Sequence, residues 1–205
     1  MHQKNIVYAG EELGKASKAL IMLHGRGGSA EDILSLASYF KLDEFTLAAP
    51  QATNNTWYPA SFLAPEQQNQ PWLSSALDLL KNLMADLISH GISKENIYLL
   101  GFSQGACLGL EYAARNAVRY GGVAGLTGGL IGNSIKSENY QGDFQGTPVF
   151  IGTSDPDPHV PVERVYATSN ILRTMHADVT EKVYTDMGHT INQDEIDQVN
   201  KLLFK

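Results

Sequence analysis

The chain has one cysteine, Cys107, in 205 residues. That excludes an intrachain disulfide, so compartment cannot be read from bridges. No apolar run approaches the roughly 18 residues that a membrane-spanning helix needs. The opening residues, Met1-His2-Gln3-Lys4-Asn5, lack the basic segment and apolar stretch of a signal peptide. Positive charge is scarce too. Fifteen Lys and Arg stand against 22 Asp and Glu, for a net charge of -7 without a basic cluster. This argues against nucleic acid as a partner. Internal repeats, low-complexity tracts and linker-like stretches are also missing, so a single domain over residues 1–205 is expected. An apolar content of 43% suits a soluble globular protein, and a cytoplasmic location is the expectation.

What is present alternates between two kinds of segment. Ala19–Leu23, Phe45–Ala49, Asn96–Leu100, Gly122–Leu126 and Pro148–Gly152 are short apolar runs of buried-strand type. Residues 179–184 alternate like a strand nearer an edge. Between these runs lie helical patterns. Ser29 offers an N-cap to a helix carrying Ile33, Leu36, Ala37 and Phe40. Pro71 opens a helix with Leu73, Leu77, Leu80, Met84, Leu87 and Ile88 at helical spacing, and Gly91 ends it. Val162–Met175 forms another. Thr190 with Gln193 reads as the capping box of a last helix facing inward through Ile196, Val199 and Leu203. Such alternation predicts a mainly parallel sheet covered by helices on both faces. In such sheets reactive residues gather after the carboxyl ends of strands.

The densest chemical signal is Gly101-Phe102-Ser103-Gln104-Gly105, set between a predicted strand and a predicted helix. A G-x-S-x-G segment in that setting is a nucleophile elbow, with Ser103 at the turn. A serine nucleophile needs a base and an acid that orients the base, in the chain order Ser, Asp or Glu, His. His189, in Met187-Gly188-His189, follows the 179–184 strand and comes late in the chain, as that order requires. The other histidines fit less well. His2 is terminal, and His90 and His176 lie at helix ends. His24 precedes the elbow, and His159 sits beside the acid candidates. The acid lies in Ser154-Asp155-Pro156-Asp157-Pro158, where Asp155 and Asp157 compete and spacing alone does not choose between them.

His24-Gly25-Arg26-Gly27-Gly28 follows a strand but lacks the Lys-Ser/Thr ending of a phosphate loop. It reads as an oxyanion loop, with the backbone N–H groups of Arg26 and Gln104 aimed at the developing charge. Trp57, Tyr58, Phe62 and Leu63 occupy a proline-bounded stretch. They either line an acyl site or pin a loop. Cys107, one helical turn past Ser103, reads as a small core residue rather than a reactive thiol.

Taken together, Leu23-His24-Gly25-Arg26-Gly27, Trp57-Tyr58, the G-F-S-Q-G elbow, Asp157-Pro158-His159-Val160-Pro161 and Met187-Gly188-His189 resemble the phospholipase/carboxylesterase group of α/β-hydrolases, which includes the acyl-protein thioesterases. The resemblance spans residues 19–204. It implies a compact α/β-hydrolase fold without a large lid domain, and hydrolysis of carboxylic esters, lysophospholipids or acyl thioesters with no metal or cofactor. The family register, an acid four residues before a proline, selects Asp157. Two positions depart from the thioesterase pattern: Arg26 replaces an apolar residue, and Pro59 replaces an aspartate. An arginine there either favours an anionic substrate or points to solvent.

The expected protein is therefore a serine carboxylic-ester hydrolase working through an acyl-enzyme on a small-molecule ester or acyl substrate. Acyl thioesterase, dienelactone-hydrolase-like or peptidase chemistry are the enzymatic alternatives. A hydrolase-like binding module is the non-enzymatic one. The sequence leaves a homodimer open.

Overall fold

In the computed structural model, which describes residues 1–204, the apolar runs become strands buried on two faces. In β2 (Lys18–Leu23), Ala19, Ile21 and Leu23 enter one core while Leu20 and Met22 enter the other. In β4 (Ile97–Phe102), Leu99 and Leu100 divide in the same way. Successive side chains of a strand point to opposite faces, so a continuous apolar run is what a doubly covered sheet needs. The remaining strands are β1 (Ile6–Gly10), β3 (Phe45–Pro50), β5 (Gly122–Leu126), β6 (Pro148–Asp155) and β7 (Asp178–Thr185).

Among the described residues these seven strands form one sheet in the order β1-β3-β2-β4-β5-β6-β7. Only β1 runs antiparallel to its neighbour. The sequence reading did not assign β1. Its residues are half-buried or exposed, so it lacks the apolar run that marks the inner strands. The helices are α1 (Ala30–Ser35), α2 (Trp72–Ser89), α3 (Gln104–Arg115), α4 (Val162–Thr174) and α5 (Gln193–Leu202). Residues of α2, α3 and α4 fill one core, and those of α1 and α5 fill the other.

Three expected details change. The helix after Ser29 ends at Ser35 and tightens into a 3-10 turn over Leu36–Tyr39. Ile88 stays exposed, while Ala76, Leu79 and Leu83 complete the buried stripe of α2. The capping box of α5 is Asn192 with Glu195, not Thr190 with Gln193. Asn192 accepts from the Glu195 N–H, and Glu195 accepts from the Asn192 N–H.

The chain leaves β2 for β3 on one side of the sheet, then crosses to β4 on the other. The carboxyl ends of β2 and β4 therefore flank a topological switch point, where an open α/β sheet leaves a crevice.

Candidate active site

β4 ends at Phe102 and α3 begins at Gln104, so Ser103 alone makes the turn. Its backbone sits at φ 54, ψ -117. This conformation costs a non-glycine residue about 1–3 kcal/mol and persists only where the surroundings impose it. Those surroundings explain the two flanking glycines. A Cβ on Gly101 would fall 2.3 Å from the Gly105 carbonyl oxygen, and one on Gly105 would fall 2.2 Å from that of Leu23. Both collisions are with backbone, so no rotamer relieves them. The Ser103 N–H is anchored on Leu126 O at 2.9 Å, at the end of β5.

Farther along the sheet, two and three strands from β4, the loops after β6 and β7 carry the other partners. Asp157 Oδ2 lies 2.9 Å from His189 Nδ1, and His189 Nε2 lies 2.8 Å from Ser103 Oγ. A carboxylate only accepts, so Nδ1 carries the imidazole proton and Nε2 is free to accept from the serine hydroxyl. Asp157 Oδ1 also accepts from the His159 and Val160 amides at 2.7 and 2.8 Å. Burial alone would raise the Asp157 carboxyl. The His159 N–H, the His189 ring and the Val160 N–H outweigh it and hold the group below the usual carboxylate range. The loops bearing the two residues are tied together, because Gly188 N donates to Ser154 Oγ and Asp186 N to Asp155 O. The His189 ring is packed by Phe102 and crossed edge-on by His159 at 4.8 Å. Asp155 is exposed, and its side chain takes no part in this contact.

The loop after β2 reaches the same edge. A Cβ on Gly25 would lie 3.5 Å from Ser103 Cβ, which brings the 24–28 segment beside Ser103. The Gly27 N–H is spent on Asn55 O at 2.7 Å, whereas the backbone N–H groups of Arg26 and Gln104 find no acceptor among the described residues. Arg26 is exposed, but its guanidinium does not offer an open fork to an anion. Its Nη1 donates to Thr56 Oγ1 and Pro59 O at 3.0 and 3.1 Å, and its Nη2 donates to Tyr58 O and Ala60 O at 3.0 and 2.8 Å.

A cavity of about 650 Å³ opens over Ser103 and His189, with Tyr58, Phe62, Leu63 and Val160 in its walls. Of the four residues read from sequence as an acyl site, Trp57 does not line it. Trp57 is fully buried, its ring lies 4.9 Å from that of His24 and 5.6 Å from that of His2, and its Nε1 donates to His24 O. It pins the loop instead. Sequence reasoning missed the two histidines that help. His24 Nε2 accepts the Ala52 N–H, and His2 Nδ1 accepts the Thr53 N–H. Burial lowers the pKa of both rings, which suits neutral acceptors. For His2 no local signal exists, because its partners lie about fifty residues away. Cys107 is buried, and its thiol is pushed up to about 12 by burial, in keeping with a core residue. Among the described residues, no three His, Cys, Asp or Glu side chains cluster as metal ligands, and no helix is long and apolar enough to cross a membrane.

A strained serine at the end of a central strand, with an imidazole in reach and a carboxylate behind it, defines a serine hydrolase of the α/β-hydrolase class. Residues 4–205 match the Phospholipase/Carboxylesterase family, and the chain belongs to it. It is an ester-hydrolysing enzyme. The chain is 55% identical to a phospholipase/carboxylesterase from Dyadobacter fermentans, whose crystal structure it matches over 100% of this chain and 98% of that one, with a TM-score of 0.98. It is 26% identical to acyl-protein thioesterase 1 of Kluyveromyces lactis over 98% of this chain and 97% of that protein. A 126-residue stretch is 32% identical to acyl-protein thioesterase 1 of Gibberella zeae, spanning 60% of this chain and 54% of that protein.

Proposed function

We propose that Ser103, His189 and Asp157 hydrolyse carboxylic esters through an acyl-enzyme. His189 Nε2 takes the hydroxyl proton as Ser103 Oγ attacks the ester carbonyl. The resulting oxyanion is held by the backbone N–H groups of Arg26 and Gln104, each donor worth about 3–4 kcal/mol of barrier. Asp157 stabilises the imidazolium. His189 then returns its proton to the leaving alcohol. In the second half it deprotonates a water that attacks the acyl carbonyl, and Ser103 is released as the hydroxyl. The observation that carries this reading is the unbroken relay of 2.9 and 2.8 Å contacts from carboxylate to imidazole to hydroxyl.

The substrate is a small-molecule ester whose acyl part is uncharged. Among the described residues Arg26 is the one permanent cation lining the cavity, and both of its Nη atoms are committed to backbone and hydroxyl oxygens. Tyr58, Phe62, Leu63 and Val160 supply apolar wall instead.

The test is a chain-length series of aryl esters and thioesters on wild type and Ser103→Ala. Ser103→Ala is expected to lower ester turnover by at least about 10³-fold at unchanged melting temperature. Near wild-type turnover in that variant would sink the assignment. The thioester arm addresses a second reading, which the names of the two fungal relatives favour: faster cleavage of thioesters than of matched oxygen esters would establish it.

A further inference from the structure

The two N–H donors assigned to the oxyanion come from segments 78 positions apart, so something must set the distance between them. Their own side chains supply the link. Gln104 Nε2 donates to Tyr58 O at 2.8 Å, and Arg26 Nη2 donates to the same oxygen at 3.0 Å. The Thr56 hydroxyl makes a second link, accepting from Arg26 Nη1 and facing Gln104 Oε1 at 3.2 Å. Gln104 Oε1 also accepts the Trp57 N–H at 2.9 Å. Thus the side chains of both donor residues converge on one short segment.

We propose that Arg26 is a positioning residue: its guanidinium, bridged to the Gln104 side chain through Tyr58 O and Thr56 Oγ1, sets the span of the oxyanion hole. This rests on the oxyanion assignment above. Two N–H bonds on each Nη match the four acceptors that Thr56, Tyr58, Pro59 and Ala60 present. Three carbonyls converging on one point repel each other unless a cation with several planar donors sits among them. Lysine brings the charge but only three donors from a single nitrogen, so it is a poor replacement. His24, at the start of the 24–28 turn, is held by the Trp57 Nε1–H and the Ala52 N–H, so the Arg26 side chain anchors the part of the turn beyond it. Gly27 adds one backbone bond to the 55–60 segment and sits at φ 81, a conformation that favours glycine and brings no side-chain anchor of its own.

A donor misplaced by about 1 Å can cost on the order of 100-fold in rate. Arg26→Ala is therefore expected to lower kcat by about 10- to 100-fold while KM for an aryl ester changes less than threefold. An aryl trifluoromethyl ketone, which adds to the serine as a tetrahedral oxyanion, should lose affinity in parallel with kcat/KM. Guanidinium ion at millimolar concentration should restore part of the Arg26→Ala rate, and Arg26→Lys should stay below half of wild type. Thr56→Val removes the hydroxyl bridge without changing side-chain shape and is expected to cost a further measurable fraction of kcat. It also serves if Arg26→Ala does not fold. A kcat/KM within twofold of wild type in Arg26→Ala, or a loss carried in KM with the ketone affinity unmoved, overturns the proposal. Ser103→Ala separates the two failures. If it is inactive while the Arg26 variants are normal, only the bridge is wrong; if it stays active, the mechanism beneath it is wrong as well.

Discussion

Ser103 and Asp157 show what single residues contribute and how far local sequence exposes it. Gly101 and Gly105 announce the elbow, because the collisions that a Cβ would make there lie within the motif or against the adjacent strand. The acid is harder to read. Asp155 and Asp157 share the same Asp-Pro setting, and motif register rather than local chemistry separates them. In the fold, β6 runs on to Asp155, which pairs with Thr185 in the sheet, while Asp157 turns inward onto two amides and His189. Asp157→Asn is therefore expected to lower kcat by about 10⁴-fold, because an amide facing Nδ1 stabilises the wrong tautomer. Asp155→Asn should remain within about twofold of wild type. Steady-state kinetics of the pair decides the matter, and the reverse ranking would transfer the role to Asp155.

At the scale of elements, type and order follow from apolar spacing, but the ends do not. The helix after Ser29 has its cap and its apolar positions, yet it stops after six residues and tightens into a 3-10 turn. At the start of α5 the residue with a competent side chain and a matching acid three positions on is Asn192, and the exposed Thr190 lies outside the helix. The cap also steadies the histidine loop, since Asn192 Nδ2 contacts Met187 Sδ at 2.8 Å. Loss of such a cap costs about 1 kcal/mol, which is roughly 2–4 °C in a domain of this size. Asn192→Ala should show that drop by calorimetry, and Thr190→Ala should not. A larger loss for Thr190→Ala would restore the capping box read from sequence.

Over the whole molecule, the sheet buries polar groups as well as apolar ones, and this makes stability depend on pH. Glu195 is fully buried, with Oε1 finding no partner among the described residues and Oε2 accepting the Asn192 N–H. Burial, helped by the charge of Asp194, raises its carboxyl to about 7 against the opposing pull of that N–H. Its protonated form is therefore favoured in the native state. The contribution is full below the ordinary value of 4.5 and is lost as pH rises through 7, at most about 3 kcal/mol. His2 and His24 act in the opposite sense. Burial lowers both from 6.5, so the stability they contribute is lost as pH falls below that value. Glu195→Gln should isolate the first effect. Relative to wild type, the variant is expected to gain stability between pH 5 and pH 8 in thermal melts. A difference that stays constant with pH would show that Glu195 does not titrate in this range.

Local sequence was enough to specify the parallel α/β order and the strand–Ser103–helix turn, and to single out His189, which the fold brings within 2.8 Å of Ser103 Oγ. The first two depend on short-range spacing or on a steric demand inside one turn, and the third on the order of motifs along the chain. The choice of aspartate, the burial of Trp57 between two imidazoles and the engagement of Arg26 depended on which segments meet after the sheet has formed. Crossing connections bring residues 2, 24, 53–60 and 104 to one edge, and hydrogen bonds between segments so distant in the chain leave no periodic trace in it.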